Sequence, residues 1–151
     1  MENWQEREEL LLRFFAFSEW YPKFSESKGI SKQLDDYMKN TNSFFDDNIK
    51  NEMMRKYSIT MSFVEKNYPF GFAKTSISKQ VARPYFEALS VGTYLALEEC
   101  SQISITKKQA TELLTNKEFI ASVSGRYQTH RAKTIIARIN YVRDGLLKYG
   151  K

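Results

Sequence analysis

Apolar residues recur every three or four positions along most of this sequence, a spacing that predicts helices rather than strands. The clearest stripe belongs to residues 46–66, where we expect a helix capped by Asp46 or Ser43. A Met-rich stripe of this kind is typical of a core face or of an adaptable binding groove, and we expect core. Its members are Phe45, Ile49, Met53, Tyr57, Met61 and Val64.

The same periodicity, interrupted by Gly, Pro and Asn, predicts an all-α fold: about six helices in one irregular bundle, with residues 1–151 forming a single domain. Ser31 and Thr106 are the expected N-caps of the second and fifth helices. Residues 67–83 form a long break, which is either functional or pinned by its aromatic residues, and we expect pinning. The predicted helices cover residues 6–24, 31–40, 46–66, 84–101, 106–116 and 129–148, with a further short turn around Phe119.

The first predicted helix is apolar in nearly every direction around its axis, which is typical of a helix in the middle of a bundle. Arg13 is embedded among these apolar side chains, and we expect it to reach a carboxylate or a helix C-terminus. In the fourth helix the small residues Ala88, Gly92 and Ala96 would allow a neighbouring helix to approach closely.

Composition excludes several classes of site. The chain has 151 residues with one Cys and one His, which exclude a disulfide framework and make a transition-metal site or a His-based triad a poor expectation. We therefore expect no enzyme, and no catalytic, metal or cofactor residues. An enzyme would need acids that converge in one pocket, for which Glu65, Glu87 and Glu98 are candidates. The acidic N-terminal segment lacks a signal-peptide pattern and no stretch is apolar enough for a membrane span, so we expect the cytoplasm.

Charge is distributed unevenly along the chain. Residues 1–66 sum to −2 and residues 67–151 to +7, and residues 126–151 hold seven basic groups against Asp144 alone, a net charge of +6. Such an asymmetry is typical of a surface that attracts nucleic acid or another acidic partner. The expected contacts are to DNA phosphates rather than to bases, because no helix-turn-helix spacing is evident. The residues predicted to bind nucleic acid are Arg126, Arg131, Lys133 and Arg138.

Two alternatives to DNA binding stay open. The basic groups do not form one row on the last helix, so they also fit a solvated face with no specific partner. They also fit a protein-interaction module whose basic end docks an acidic partner and has no nucleic-acid role.

Five segments, in this order, resemble the C-terminal helical half of the domain-of-unknown-function-262 family, the GmrS-type proteins of bacterial modification-dependent restriction and phage defence. The segments are ELLLRFFAF (9–17), QLDDYM (33–38), YPFGFAK (68–74), RPYFEALSVG (83–92) and AKTIIARINYVRDGLL (132–147).

The resemblance covers essentially the whole chain and implies a helical accessory region. In the family, the N-terminal half has a ParB/sulfiredoxin-like fold with a DGQQR-type motif linked to nucleotide hydrolysis, and an HNH nuclease domain often accompanies it. This sequence contains neither motif, so no catalytic residue of the family is carried over. The implied partner is an N-terminal ParB-like domain or a companion protein, with self-association as a further option. Whether the chain is a part of a longer protein or a separate product stays open.

Overall fold

Seven α-helices form a single bundle in the computed structural model, which describes residues 4–21, 23–24, 27–78, 80–124 and 131–151. No strand occurs within these ranges, so the all-α prediction is confirmed. The helix beyond the predicted six is α6, where the sequence indicated a short turn. The helices are α1 (Trp4–Trp20), α2 (Ile30–Ser43), α3 (Asp47–Asn67), α4 (Arg83–Glu99), α5 (Lys107–Leu114), α6 (Lys117–Ser122) and α7 (Ala132–Leu147).

Side-chain caps mark the start of three helices, α3, α5 and α6. The Asp46 carboxylate accepts a hydrogen bond from the Ile49 amide at 2.8 Å and caps α3 as predicted. Thr106 caps α5 through a reciprocal capping box with Gln109. The Ser31 prediction is wrong: Gly29, with φ of 68°, is the N-cap of α2, so that Ser31 already lies inside the first turn.

Helix α4 is the central element of the bundle. Every residue from Tyr85 to Tyr94 is buried, which places α4 rather than α1 in the middle. Helix α1 covers one side of it and leaves Leu11 exposed. The predicted close approach at Gly92 is confirmed: a Cβ there would lie 2.7 Å from Val142 Cβ and 2.9 Å from the Ile139 carbonyl oxygen.

Helices α1, α4 and α7 run parallel to one another. Glu9 of α1 pairs with Arg83 of α4, and Arg13 pairs with Glu87, so the residue numbers of paired residues differ by 74 in both cases. A constant difference means that the two helices run in the same direction. The difference in residue number between contacting residues of α4 and α7 is similarly constant: it is 51 for Glu87 with Arg138 and 50 for Gly92 with Val142. The three N-termini therefore lie at the same end of the bundle, where their partial positive charges add.

Helix α3 packs antiparallel to α4 and extends beyond it. Arg55 pairs with Glu98 near the end of α4, and the hydroxyl groups of Tyr68 and Thr93 are 2.5 Å apart. Residues 47–54 of α3, a length of about 12 Å, therefore extend past the end of α4. The expectation that the whole α3 stripe is core is wrong for this half, because only Thr60 and Val64 are buried in α3.

The connection between α3 and α4 is pinned by aromatic residues, as predicted. Tyr68 is buried, and the Phe72 ring packs on the Phe86 ring at a centroid distance of 4.8 Å. Phe70 remains exposed in the same loop. The loop is therefore held to the bundle from both ends of the YPFGF segment.

Candidate functional site

A series of ion pairs between alternating acidic and basic side chains extends from the surface into the core and connects α1, α4 and α7. At the surface, one Glu9 oxygen lies 3.3 Å from the Arg83 guanidinium, and the other accepts a hydrogen bond from Arg13 Nε at 2.9 Å. Arg13 Nη1 then donates to Glu87 Oε1 at 2.6 Å. The second oxygen of Glu87 accepts from Arg138 Nη2, and both of these side chains are almost fully buried. The expectation that Arg13 finds a carboxylate is confirmed.

Arg138 is thus a core residue, although we predicted it to contact nucleic acid. It is 2% exposed, so a phosphate in solvent has no access to it. Burial lowers the pKa of Arg138, and the Glu87 carboxylate opposes this shift by favouring the charged form. The placement follows from its position three residues after Ile135 and four before Val142, in the middle of the apolar arc of α7.

The other residues predicted to bind nucleic acid do not lie together with Arg138. Arg131 is the N-cap residue of α7 and is exposed, and Lys133 is exposed in the first turn. Arg126 lies outside the described residues. Tyr141, an aromatic residue of the same helix, stacks its ring on the Phe119 ring at a centroid distance of 4.8 Å and donates from its hydroxyl to the Leu113 carbonyl, so it is a packing residue.

The basic C-terminal segment is divided rather than continuous. Arg138 is neutralised by Glu87, and Arg143 pairs with Asp144 at 2.7 Å and donates to the Tyr21 hydroxyl at 3.1 Å. Lys148 and Lys151 are exposed beyond the end of α7, about 24 Å from its beginning.

We call the end formed by the three parallel helix N-termini the cationic end. The constant difference of 50 to 51 in residue number between α4 and α7 places Lys133 at the level of Arg83, at the start of α4. Lys74 reaches the same end, because its Nζ lies 3.4 Å from the Val123 carbonyl oxygen and 5.9 Å from the centre of the Tyr85 ring. Four basic residues from the loop, α4 and α7 lie there, Lys74, Arg83, Arg131 and Lys133, and the first turns of α1 add Arg7 with the acids Glu6, Glu8 and Glu9.

The three candidate acids for an enzyme do not converge. Glu87 is committed to two arginines and Glu98 to Arg55, and eleven residues of α4 separate them, about 16 Å along the axis. Glu65 is exposed on α3. Within the described ranges, no three His, Cys, Asp or Glu side chains are grouped so that they could hold a metal ion.

A groove of about 700 Å³ lies between α3, the end of α4 and residues 101–105. Its apolar lining includes Ile59, Phe63 and Ile105, with Lys66 at the rim. Arg55 also lines it, but its guanidinium is engaged by Glu52 and Glu98. The groove therefore offers an apolar surface beside the ion pairs of Arg55.

No family model matches the sequence, and neither a curated protein nor a solved structure matches it at a significant level. None of the helices in the described part of the chain is both long and apolar enough to cross a membrane.

Proposed function

We propose that the chain is a non-catalytic helical binding module that contacts the phosphates of nucleic acid through its cationic end. The observation that supports this proposal is the meeting of three helix N-termini with four basic residues at one end of the bundle. Backbone N–H groups at a helix N-terminus and the charges of Lys and Arg both favour phosphate oxygens. Such contacts carry no information about base sequence.

The local charge balance also supports the proposal. Three acids, Glu6, Glu8 and Glu9, lie in the first turns of α1 at this end, and Glu9 is shared between Arg13 and Arg83. Counted with Arg7 and the four basic residues, the cationic end keeps a net charge of +2. Arg131 and Lys133 are exposed at the start of α7. Each phosphate neutralised by such a cation releases condensed counterions, so binding is expected to weaken steeply with salt.

The test is fluorescence anisotropy of a labelled DNA duplex across a series of KCl concentrations. Four phosphate contacts predict a slope of log K against log salt of about −3 to −4. Arg131→Glu combined with Lys133→Glu is expected to reduce the magnitude of this slope by about two and to weaken binding at low salt. Arg138 is excluded from the test set because a glutamate there would face Glu87 in the core.

The matched control is Lys148→Glu with Lys151→Glu, which makes the same change in net charge at the other end of α7. The proposal predicts a much smaller effect of this control. Equal losses in both double variants, or no binding by the unmodified chain, would contradict it. Binding of an oligoglutamate peptide without binding of DNA would instead favour the alternative in which the basic end docks an acidic protein.

We also propose, from the resemblance to the GmrS-type proteins alone, that such a module supports a nucleotide-hydrolysing ParB-like domain or companion protein. Mixing the chain with that partner and measuring complex formation by size-exclusion chromatography tests this part separately. A complex is expected, and two unshifted peaks would remove the restriction and phage-defence context while leaving the DNA proposal intact.

A further inference from the structure

A polar recess of about 540 Å³ lies between the end of α1 and one side of α2. Pockets that bind small molecules typically have volumes of about 300–1,000 Å³ and combine apolar or aromatic surface with a few polar groups that converge. This recess has both properties, since one aromatic ring and five polar side chains line it. The residues are Trp20, Lys23, Lys28, Gln33, Asp36 and Asn40.

Trp20 supplies the aromatic surface of the recess. The Trp20 and Tyr37 rings are nearly perpendicular, at a centroid distance of 5.5 Å, and Tyr37 is buried, so this contact holds the indole in place. The Tyr37 hydroxyl donates to Glu19 at 3.3 Å, and Glu19 lines the neighbouring recess beside α3. An indole that is held by packing and lines an open recess offers an aromatic surface to a planar ligand.

Two carboxamides, Gln33 and Asn40, line the recess along α2. Gln33 is 4% exposed, and its amide nitrogen donates to the Gly29 carbonyl oxygen at 3.3 Å, which fixes the side chain. Asn40 is exposed two turns further along the helix. A carboxamide carries both hydrogen-bond donors and an acceptor, so this side of the recess suits the polar edge of a ring.

The recess has a positive charge. Lys23 and Lys28 make no ion pair within the described ranges. Asp36, the acid of the described lining, pairs with Lys32, and this hydrogen bond holds the pKa of Asp36 below its ordinary value. The carboxylate is therefore ionised but already satisfied by a lysine. The charged residues in and around the recess sum to +2, or to +1 with Glu19 included: Lys23, Lys28, Lys32 and Lys39 against Asp35 and Asp36.

We propose that this recess binds a small aromatic molecule that carries a phosphate or carboxylate group. The ring would contact Trp20, and its polar edge would face Gln33 and Asn40. The anionic group would lie beside Lys23 and Lys28. The recess is at the end of α1, about 24 Å along that helix from the cationic end, so its failure would leave the nucleic-acid proposal untouched.

The experiment is isothermal titration calorimetry with AMP, which has a ring, polar ring edges and a phosphate, and with its two parts, adenosine and ribose 5-phosphate. We expect AMP to bind at least about tenfold more tightly than either part, because stacking and charge-assisted hydrogen bonds each contribute. Equal binding of either part, or no binding of AMP and of the aromatic carboxylate 2-naphthoate, would overturn the proposal. The tighter of AMP and 2-naphthoate identifies the preferred anionic group.

The two lysines of the lining are tested against a matched pair. Lys23→Gln with Lys28→Gln is expected to weaken AMP binding about tenfold. Lys107→Gln with Lys108→Gln makes the same change of charge at the exposed start of α5 and is expected to leave the affinity unchanged. Equal losses in the two double variants would overturn the assignment to this recess.

The acid of the lining predicts a change in the opposite direction. Asp36→Asn removes a negative charge from the recess and is expected to strengthen AMP binding about threefold, whereas Glu118→Gln on α6 is not. Arg131→Glu with Lys133→Glu, at the cationic end, is expected to change the affinity for AMP by less than about twofold at moderate salt. A large loss in that variant would place AMP at the cationic end and overturn the proposal.

Tryptophan fluorescence tests the contact with the ring. Trp4→Phe leaves Trp20 as the single tryptophan of the chain. AMP is expected to quench the fluorescence of this variant with the affinity measured by calorimetry, and ribose 5-phosphate is not. Circular dichroism of each variant checks that the fold is retained. Binding of AMP without quenching would mean that Trp20 is not in contact with the ring, which contradicts the proposal.

Discussion

Glu87 of α4 connects this helix to both α1 and α7 through two ion pairs. Its carboxylate binds two guanidinium groups, one from Arg13 and one from Arg138, and its side chain is 1% exposed. Removing it deprives both guanidinium groups of this buried carboxylate, while Arg13 keeps Glu9, which it shares with Arg83. Breaking a buried ion pair at one partner costs about 3–5 kcal/mol. Because small domains unfold with a free energy of about 5–15 kcal/mol, Glu87→Gln is expected to remove a large part of the stability.

A double-mutant cycle separates the ion pair from simple packing. Glu87→Leu and Arg138→Leu are each expected to lower the free energy of unfolding by about 3 kcal/mol. The double variant is expected to be much less destabilised than the sum of the two, since apolar replacement of a buried pair is often neutral or stabilising. The assay is urea unfolding followed by circular dichroism, with the dependence on urea compared between variants.

The control is Asp144→Asn, which removes the exposed partner of Arg143 and is expected to cost less than about 1 kcal/mol. If Glu87→Gln costs no more than this control, or if the two leucine substitutions are additive, the buried charges do not stabilise the core and the reasoning is refuted.

Three further predictions test packing, capping and ionisation. Gly92→Ala is expected to cost about 1–3 kcal/mol because the new Cβ meets backbone at 2.9 Å, whereas Gly145→Ala meets the movable Leu113 side chain and is expected to cost less; urea unfolding compares them. Thr106→Ala removes the cap of α5 and is expected to cost about 1 kcal/mol in the same assay, with Thr75→Ala, at an exposed residue of the loop between α3 and α4, as the control. Burial raises the pKa of Tyr37, Tyr85 and Tyr94 to about 12, so the unfolded chain releases these protons first as the pH rises above the ordinary value of 10. Stability is therefore full below pH 10 and is lost between pH 10 and pH 12, by up to about 1.4 kcal/mol per pH unit for each tyrosine. Tyr85→Phe is expected to make that loss shallower, and an unchanged slope would contradict the burial argument.

Local features of the sequence predicted local features of the fold. The periodicity of apolar residues located the helices to within a few positions, because a helix that buries one face must repeat that face every turn. Asp46 and Thr106 were predicted as caps because their side chains act on amides only three residues away. A close helix contact at Gly92 was predicted because such a contact requires only that the residue has no side chain.

The predictions that were wrong concern contacts between residues far apart in the sequence. Arg138 contributes to the basic segment in a linear count of charge, yet its partner Glu87 is 51 residues away. The stripe of α3 is amphipathic along its whole length, but its pattern does not reveal that α4 ends beside Arg55, so that the first half of α3 does not pack against α4. The cationic end likewise arises from the parallel order of three helices, which periodicity alone does not determine.

The most direct measurement of the central claim is an NMR titration of the isotopically labelled chain with a short DNA duplex at low salt. The account predicts that amide chemical shifts change around Arg83, Arg131 and Lys133, where α4 and α7 begin, and stay unchanged at Lys148–Lys151 and in the first half of α3. Changes concentrated at Lys148–Lys151, or spread evenly over every lysine and arginine, would contradict it.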